Sequence, residues 1–503
     1  MKQRLVNYFK ASFPGLAIQT TEEPRVLADI IEAAKVVKRD VVIWSATEGL
    51  KQLLPNPKEY QDTKDPVDAF KQRLKNTVYI FRDLNTWPFD RDPILARSLK
   101  DLLTWAPIEG ACVVITGSEF KSHASFEKLV TVMDYSLPGP DDLEKIALGI
   151  AESCGKKIES GQDVIRAMGG LSTSEAENAL ALSVIETNRF DPAVIYREKV
   201  QAVRKTNLLD IVEADPRGLE AVGGLSELKG WIVKRRRAYT PEAEKFGLPA
   251  PKGVLLVGVP GTGKSLSAKA IGTALGVPTV KLDVGNLFNS LVGESEARTR
   301  DALKLAEAMS PCVLWIDEID KGFSGSGGSG SGDSGVTRRV FGTVISWMQE
   351  RRRPVFLVAT ANQVGHLPPE LLRKGRFDEI FAIDLPSDKE RESIFTIHLA
   401  KKSRDPKRFN LPKLAAATED FTGSEIETVL DEAMFNAFDE NREVETDDIV
   451  KAAHSTTPLA KTAKEQIDAI REWAKSRARF ASGVEVGATY TAPSTGSRKI
   501  RSN

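Results

Sequence analysis

Short apolar runs recur along this chain, separated by stretches in which apolar residues return every three or four positions. The clearest series lies past residue 250. Residues 253–257 form an apolar run that enters a glycine-rich turn, and 265–275 follow with helical spacing. Residues 313–316 form a second run that ends in two acids, and 355–359 a third that leads to Asn362. Strands alternating with helices in this way predict an α/β fold: a parallel sheet with helices on both faces. From Leu385-Pro386 onward the spacing is helical, over 389–401, 424–440 and 446–453, which predicts a small helical lid behind the sheet.

The first 200 residues carry a fainter version of this rhythm: a strand at 16–19, a helix at 25–37, and strands at 41–44, 77–83 and 111–116. Tyr135-Ser136-Leu137-Pro138, with a helix from Asp141, parallels Ile383-Asp384-Leu385-Pro386 with a helix from Asp388. Residues 170–186 parallel 421–435. The expectation is an internal duplication. It gives a degenerate α/β copy over residues 1–210, a large sheet domain over 215–385, and a helical lid with C-terminal helices over 386–483. A disordered tail is expected over 484–503, and the composition of 322–335 is that of a mobile loop.

Composition narrows the function classes. Lys plus Arg and Asp plus Glu are 70 each, so net charge gives no push toward nucleic acid or an anionic membrane. Hydrophobic residues make up 41% and charged residues 28%, as in a soluble globular protein with a sizeable core. No apolar run approaches the roughly 20 residues needed to span a bilayer, and Met1 to Lys10 has no apolar signal core. Cys112, Cys154 and Cys312 are widely spaced, which argues against a disulfide framework or a zinc site and fits a cytoplasmic setting.

The chemistry concentrates at Gly258-Val259-Pro260-Gly261-Thr262-Gly263-Lys264-Ser265, which fits GxxxxGK[ST] and sits between a strand and a helix. The glycines let successive N–H groups point inward at phosphate oxygens, and the following helix presents its positive end to the same place. Lys264 reaches the β and γ phosphates, and the Ser265 hydroxyl ligates magnesium. About 50 residues on, a strand delivers Asp317 to the magnesium shell and Glu318 as the group that polarises water. Asn362 ends the next strand and can position that water. Arg373 and Arg376 flank Gly375, where guanidinium donors can reach a phosphate across a subunit boundary. Read without context they are solvated charges.

At these residues the chain resembles the AAA+ ATPases, and within them the AAA subgroup. The motifs VGVPGTGKS, VGESE, LWIDEID, ATAN and LLRKGRFD occur in that family's order. The resemblance implies that Mg2+ and ATP are the cofactors. It places nucleotide contacts from Gly258 to Leu266, a Mg2+ ligand set of Ser265 and Asp317, a catalytic set of Lys264, Glu318, Asn362, Arg373 and Arg376, and an adenine pocket near Val222, Gly223 and His398, with Gly423 from the lid. Over nearly the whole chain it resembles the AAA ATPases known from cyanobacteria and from the forty-sixth ycf reading frame of algal chloroplast genomes. For a chloroplast-encoded chain that implies the plastid stroma. The resemblance further implies a homo-oligomeric ring, expected to be hexameric, that remodels a protein partner.

Two departures bear on this. Leu291 stands just before Val-Gly-Glu-Ser-Glu, where many AAA unfoldases place an aromatic residue that grips substrate. The N-terminal copy has Thr20-Thr21-Glu22-Glu23-Pro24 where a P-loop belongs, Asp83 followed by Leu84 where two acids belong, and Thr116-Gly117 in place of a sensor amide. That copy is not expected to bind ATP. Two rival readings remain: an ATP-gated scaffold with slow turnover, and a nucleic-acid remodeller suggested only by Arg235-Arg236-Arg237 and Arg351-Arg352-Arg353.

Overall fold

The structure, a computed structural model, describes residues 1–118, 120, 123–159, 161–283, 294–321, 333–351, 353–373 and 375–483. It divides into two compact units, Met1–Lys199 and a second beginning at Val200.

The first unit holds a seven-stranded sheet of β1 (Gly15–Gln19), β2 (Asp40–Ser45), β3 (Gly49–Leu54), β4 (Lys58–Glu59), β5 (Thr77–Arg82), β6 (Cys112–Gly117) and β7 (Val130–Asp134). Their spatial order is β4-β3-β2-β5-β6-β1-β7. The last five are parallel, and β3 and β4 form an antiparallel ribbon at the edge. Side chains alternate between two cores, as the strand period dictates. Ala17, Tyr79, Phe81, Val113 and Ile115 pack with the helix Pro93–Trp105. Leu16, Ile18, Val78, Ile80 and Val114 pack on the other face with the helices Lys2–Lys10 and Glu23–Val36. Burial on both faces explains why these strands read as continuous apolar runs. Four helices follow: Pro140–Cys154, Gly161–Met168, Thr173–Thr187 and Pro192–Lys205, the last of which crosses the unit boundary.

The second unit repeats the plan. Its strands are β8 (Asp210–Val212), β9 (Gly253–Val257), β10 (Thr279–Leu282), β11 (Cys312–Ile316), β12 (Val355–Ala361), β13 (Glu379–Ala382) and β14 (Arg479–Phe480), in the order β14-β13-β9-β12-β11-β10-β8. Numbered among themselves in chain order, five adjacent parallel strands lie in the order five-one-four-three-two in both sheets: β7-β1-β6-β5-β2 and β13-β9-β12-β11-β10. An identical strand order, with a run of helices after the fifth strand in each unit, is what the expected duplication requires. The lid of the second unit comprises Asp388–Lys401, Leu411–Ala417, Gly423–Asp439 and Thr446–Ser455 around a core that includes Phe395, Leu399, Leu430 and Ile449. Thr422 caps the third of these helices, its hydroxyl bonded with Glu425 in a capping box.

After the lid the chain turns back. The helix Lys464–Arg477 runs to β14, which pairs with β13. Arg471 Nε donates to Asp384 Oδ2 at 2.7 Å, and the Ala481 carbonyl accepts from the Glu227 and Leu228 amides at 2.9 and 3.1 Å. Ala481 is buried in the sheet core. β8 and β14 were not foreseen, because two or three residues are too few to show a period.

Of the stretch expected to be a mobile loop over 322–335, the last three residues belong instead to a helix, Asp333–Glu350. Residues 322–332, Leu291 and the tail over 484–503 lie outside the described residues. Among the described residues no helix is long and apolar enough to cross a membrane.

Candidate nucleotide site

β9 ends at Val257, and the chain then loops over the carboxyl end of the second sheet before the helix Lys264–Leu275 begins. Gly261 and Gly263 have φ of +81° and +90°, which L side chains rarely adopt, and this conformation turns the loop's N–H groups inward. The helix packs closely because Ser267, Ala268, Ala270 and Gly272 present little bulk to the sheet. Its first turn is therefore held rigidly at the mouth of a cleft of about 420 Å3. The cleft is lined by Pro260 to Leu266, by Val222 and Gly223, by Glu318 and Asn362, and by His398 and Gly423 of the lid. Gly258 and Val259 lie beneath the loop. Their carbonyls accept from Lys264 Nζ at 2.7 and 2.6 Å.

The acid end of β11 is organised by a residue the sequence reading passed over. Thr360 sits inside the apolar run of β12, 1% exposed. Its hydroxyl donates to Asp317 Oδ1 at 2.7 Å and accepts from the Glu318 amide at 2.8 Å. Glu318 has φ of +49°, an uncommon backbone state for a side chain of this kind, and the Thr360 bond helps hold it. Ser265 Oγ donates to Asp317 Oδ1 at 3.2 Å, and Asn362 Nδ2 donates to Glu318 Oε1 at 3.0 Å. Two lysines complete the cluster: Lys281 Nζ lies 3.3 Å from Asp317 Oδ2, and Lys321 Nζ lies 2.5 Å from Glu318 Oε2. Neither lysine carries a local motif, so only the fold reveals them.

The lid side is close and mixes Ile394 and Ile397 with Glu390, Lys401 and Glu427. A Cβ on Gly223 would lie 2.5 Å from Ile394 Cγ1, so only glycine allows the approach of this loop to the helix Asp388–Lys401. His398 Nδ1 is buried without a hydrogen-bond partner, although Glu427 Oε1 stands 3.4 Å away. Burial lowers the His398 pKa more than Glu427 raises it, which favours the neutral imidazole.

These residues suit a magnesium nucleotide. One hydroxyl and one carboxylate are the sparse protein ligand set magnesium takes when phosphates supply other oxygens. His398 lines the lid side of the same cleft, where a neutral imidazole can pack against a base. Arg373 and Arg376 do not line this cleft. Arg373 is exposed, whereas Arg376 is 7% exposed with Nε and Nη1 unpartnered, so Arg376 does not stand outward as the sequence reading expected.

Burial lowers the Lys264 pKa to about 8, against the pull of Asp320, Asp317 and Glu318. The ammonium is the form that attracts phosphate, and it is lost as pH rises through that value. Affinity for a non-hydrolysable ATP analogue should therefore fall about tenfold between pH 7 and pH 9, and Lys264→Arg should flatten the slope. Calorimetric titration at the two pH values checks this. An unchanged affinity in the wild type would mean Lys264 does not carry the phosphate contact.

A second cavity, about 710 Å3, lies beside Lys234, Arg235 and Arg237 and contains none of the predicted site residues. The two arginine runs are partly structural. Arg235 stacks on Trp231 at 3.3 Å, and Arg351 stacks on Trp347 at 5.1 Å. That weakens the nucleic-acid reading.

The register of the two sheets corrects the alignment of the N-terminal copy. Gly258 N donates to the Ala361 carbonyl, and Thr20 N donates to the Gly117 carbonyl. Stepping from strand to strand, Thr360 corresponds to Thr116 and Asn362 to Ser118. Ile316 corresponds to Phe81. Asp317 thus falls on Arg82 and Glu318 on Asp83, which shares the left-handed backbone with φ of +51°. Asp83 is the second acid position, and the first holds a cation.

Comparison with known proteins agrees with the architecture. The ATPase family associated with various cellular activities (AAA) matches residues 254–385, and the AAA+ lid domain matches 408–451. The N-terminal and second domains of SpoVK-like AAA ATPases match 1–135 and 141–206, dividing the first unit at its fifth parallel strand. An uncharacterised AAA domain-containing protein, ycf46, of Guillardia theta is 39% identical over 479 residues, covering 93% of each chain. Its counterpart in Trieres chinensis is 37% identical over 495 residues, covering 96% of this chain and 98% of its own. A proteasome-activating nucleotidase of Methanococcus maripaludis is 34% identical over 255 residues, half of this chain and 62% of its own.

Proposed function

The chain belongs to the ycf46 family of AAA domain-containing proteins, and from that premise we propose that it binds Mg-ATP in the cleft of its second unit and hydrolyses it. The observation that carries this reading is the linked set Ser265, Asp317, Thr360, Glu318 and Asn362, which sets a metal-ligating carboxylate and a basic carboxylate side by side beneath Lys264. Lys264, released from the Gly258 and Val259 carbonyls, binds phosphate. Ser265 and Asp317 hold magnesium, which when bound supplies charge stabilisation on the phosphate oxygens. Glu318 accepts the proton of the attacking water, and Asn362 orients Glu318 through the bond it already makes. His398, with Val222 and Gly223, receives the base and so makes the lid sensitive to the nucleotide. Copies of the chain assemble in a ring, expected to be hexameric, in which Arg373 serves the neighbour's site, and lid motion remodels a protein partner.

One observation favours a slower, switch-like ATPase. The Lys321–Glu318 contact occupies the basic carboxylate and must open before Glu318 takes a proton. The test of the main reading is phosphate release with and without magnesium. Turnover should vanish on chelation and in Lys264→Ala, which should also lose nucleotide binding. Magnesium-independent turnover, or tight ATP binding by Lys264→Ala, would place the chemistry elsewhere.

A further inference from the structure

The register that aligns the two sheets shows that the first unit inverts the charges of the second. The helix after the first strand begins at Lys264 in one unit and at Glu23 in the other. The strand tip that carries Asp317 in one carries Arg82 in the other. The inverted pair is joined: Arg82 donates to both carboxylate oxygens of Glu23, from Nε to Oε1 and from Nη2 to Oε2 at 3.1 Å. That bond holds the Arg82 pKa above its ordinary range.

A second carboxylate reaches the lid. Glu22 is 2% exposed and occupies the N-cap position of the same helix without bonding its amides. Its Oε1 accepts from the Thr173 amide at 2.9 Å and its Oε2 from the Thr173 hydroxyl. Thr173 follows the cap Ser172 as Gly423 follows the cap Thr422, so it holds the lid position that lines the nucleotide cleft of the second unit. There the corresponding loop-to-lid bond is the backbone contact from Ser424 N to the Gly261 carbonyl at 3.1 Å. Arg25 lies 3.2 Å from Glu22, donates to Asp142 of the lid at 3.0 Å and to the Ser136 carbonyl, and stacks on Tyr135.

We infer that the first unit clamps its lid to its sheet with its own side chains, a carboxylate standing where phosphate would bind and a guanidinium where the metal would. Glu22 anchors the lid helix Thr173–Thr187, Arg25 the lid helix Pro140–Cys154, and the Glu23–Arg82 pair fills the space between strand tip and helix. A buried carboxylate satisfied by an amide, a hydroxyl and a guanidinium persists, whereas a bound nucleotide comes and goes. The first unit is therefore a fixed body, insensitive to ATP. This inference stands on the register and the contacts, and holds whether or not the second unit hydrolyses ATP.

Hydrogen exchange on the full chain tests it. In the wild type and in Lys264→Ala, amides over 173–187 should exchange at the same rate with and without Mg-ATP. Glu22→Ala should speed their exchange at least tenfold while β1 and β6 stay protected. If Glu22→Ala also exposes β1 and β6, Glu22→Gln, which keeps an acceptor, should retain the strands and still loosen 173–187. Glu23→Arg alone should loosen the site, and Glu23→Arg with Arg82→Glu should restore protection. Protection of 173–187 by Mg-ATP in Lys264→Ala, wild-type exchange in both Glu22 variants, or no recovery in the exchanged pair would each overturn the clamp.

Discussion

Glu318→Gln is expected to hold ATP with near-normal affinity and to release phosphate about a hundredfold more slowly, or worse, the loss that follows removal of a general base. The amide keeps the shape and can still meet Asn362 Nδ2 through its oxygen. Lys264, Ser265 and Asp317 are untouched, so binding persists. What disappears is the carboxylate that takes a proton. The substitution also removes the ion pair with Lys321; a scaffold that depends only on ATP occupancy would assemble as before. Nucleotide affinity and phosphate release should be measured on the same preparation. Turnover close to the wild type would remove Glu318 from the mechanism.

Arg373→Ala is expected to cost about a thousandfold in turnover, the scale of a guanidinium supplied in trans to a phosphoryl transfer site, with ATP affinity in the same chain unchanged. Arg373 is exposed and outside its own cleft, so in the proposed ring its effect appears in a neighbour. Mixing Arg373→Ala with Lys264→Ala chains should recover part of the activity, because some interfaces then join an intact P-loop to an intact arginine. Co-assembled mixtures with no recovery would sink the trans role. Arg376 is a poorer reporter. Its guanidinium is buried with two nitrogens unpartnered, and changing it alters packing as well as charge.

What the sequence disclosed depends on how locally each feature is encoded. The P-loop was legible because four fixed residues serve one turn and one anion, all within eight positions. Asp317 and Glu318 were legible because a buried strand cannot carry acids until it ends. Thr360 was not, since a threonine in an apolar run looks like any β-branched residue, and its hydroxyl matters only when β11 lies alongside. The N-terminal copy was aligned one residue off at β5 because Asp83 is the acid nearest a strand end. Only the ladder through β1, β6 and β5 reveals Arg82 at the earlier position. The ribbon β3–β4 at one sheet edge and the short strands β8 and β14 escaped because edge pairing leaves almost no pattern in so few residues.

The return of the chain through Lys464–Arg477 to β14 changes the mechanics of the second unit. The lid departs from the sheet just after β13 and is brought back by a strand lying against that same β13. Under the proposed cycle, once the bonds from Ser424 N to the Gly261 carbonyl and from Leu225 N to Glu390 open, a body joined to the sheet at two neighbouring points on one edge has a preferred axle running along that edge. It swings like a door on a pair of hinges, rather than twisting freely like a flag on a single cord. On that proposed motion, His398 and Gly423 of the lid sweep a repeatable arc toward and away from the P-loop.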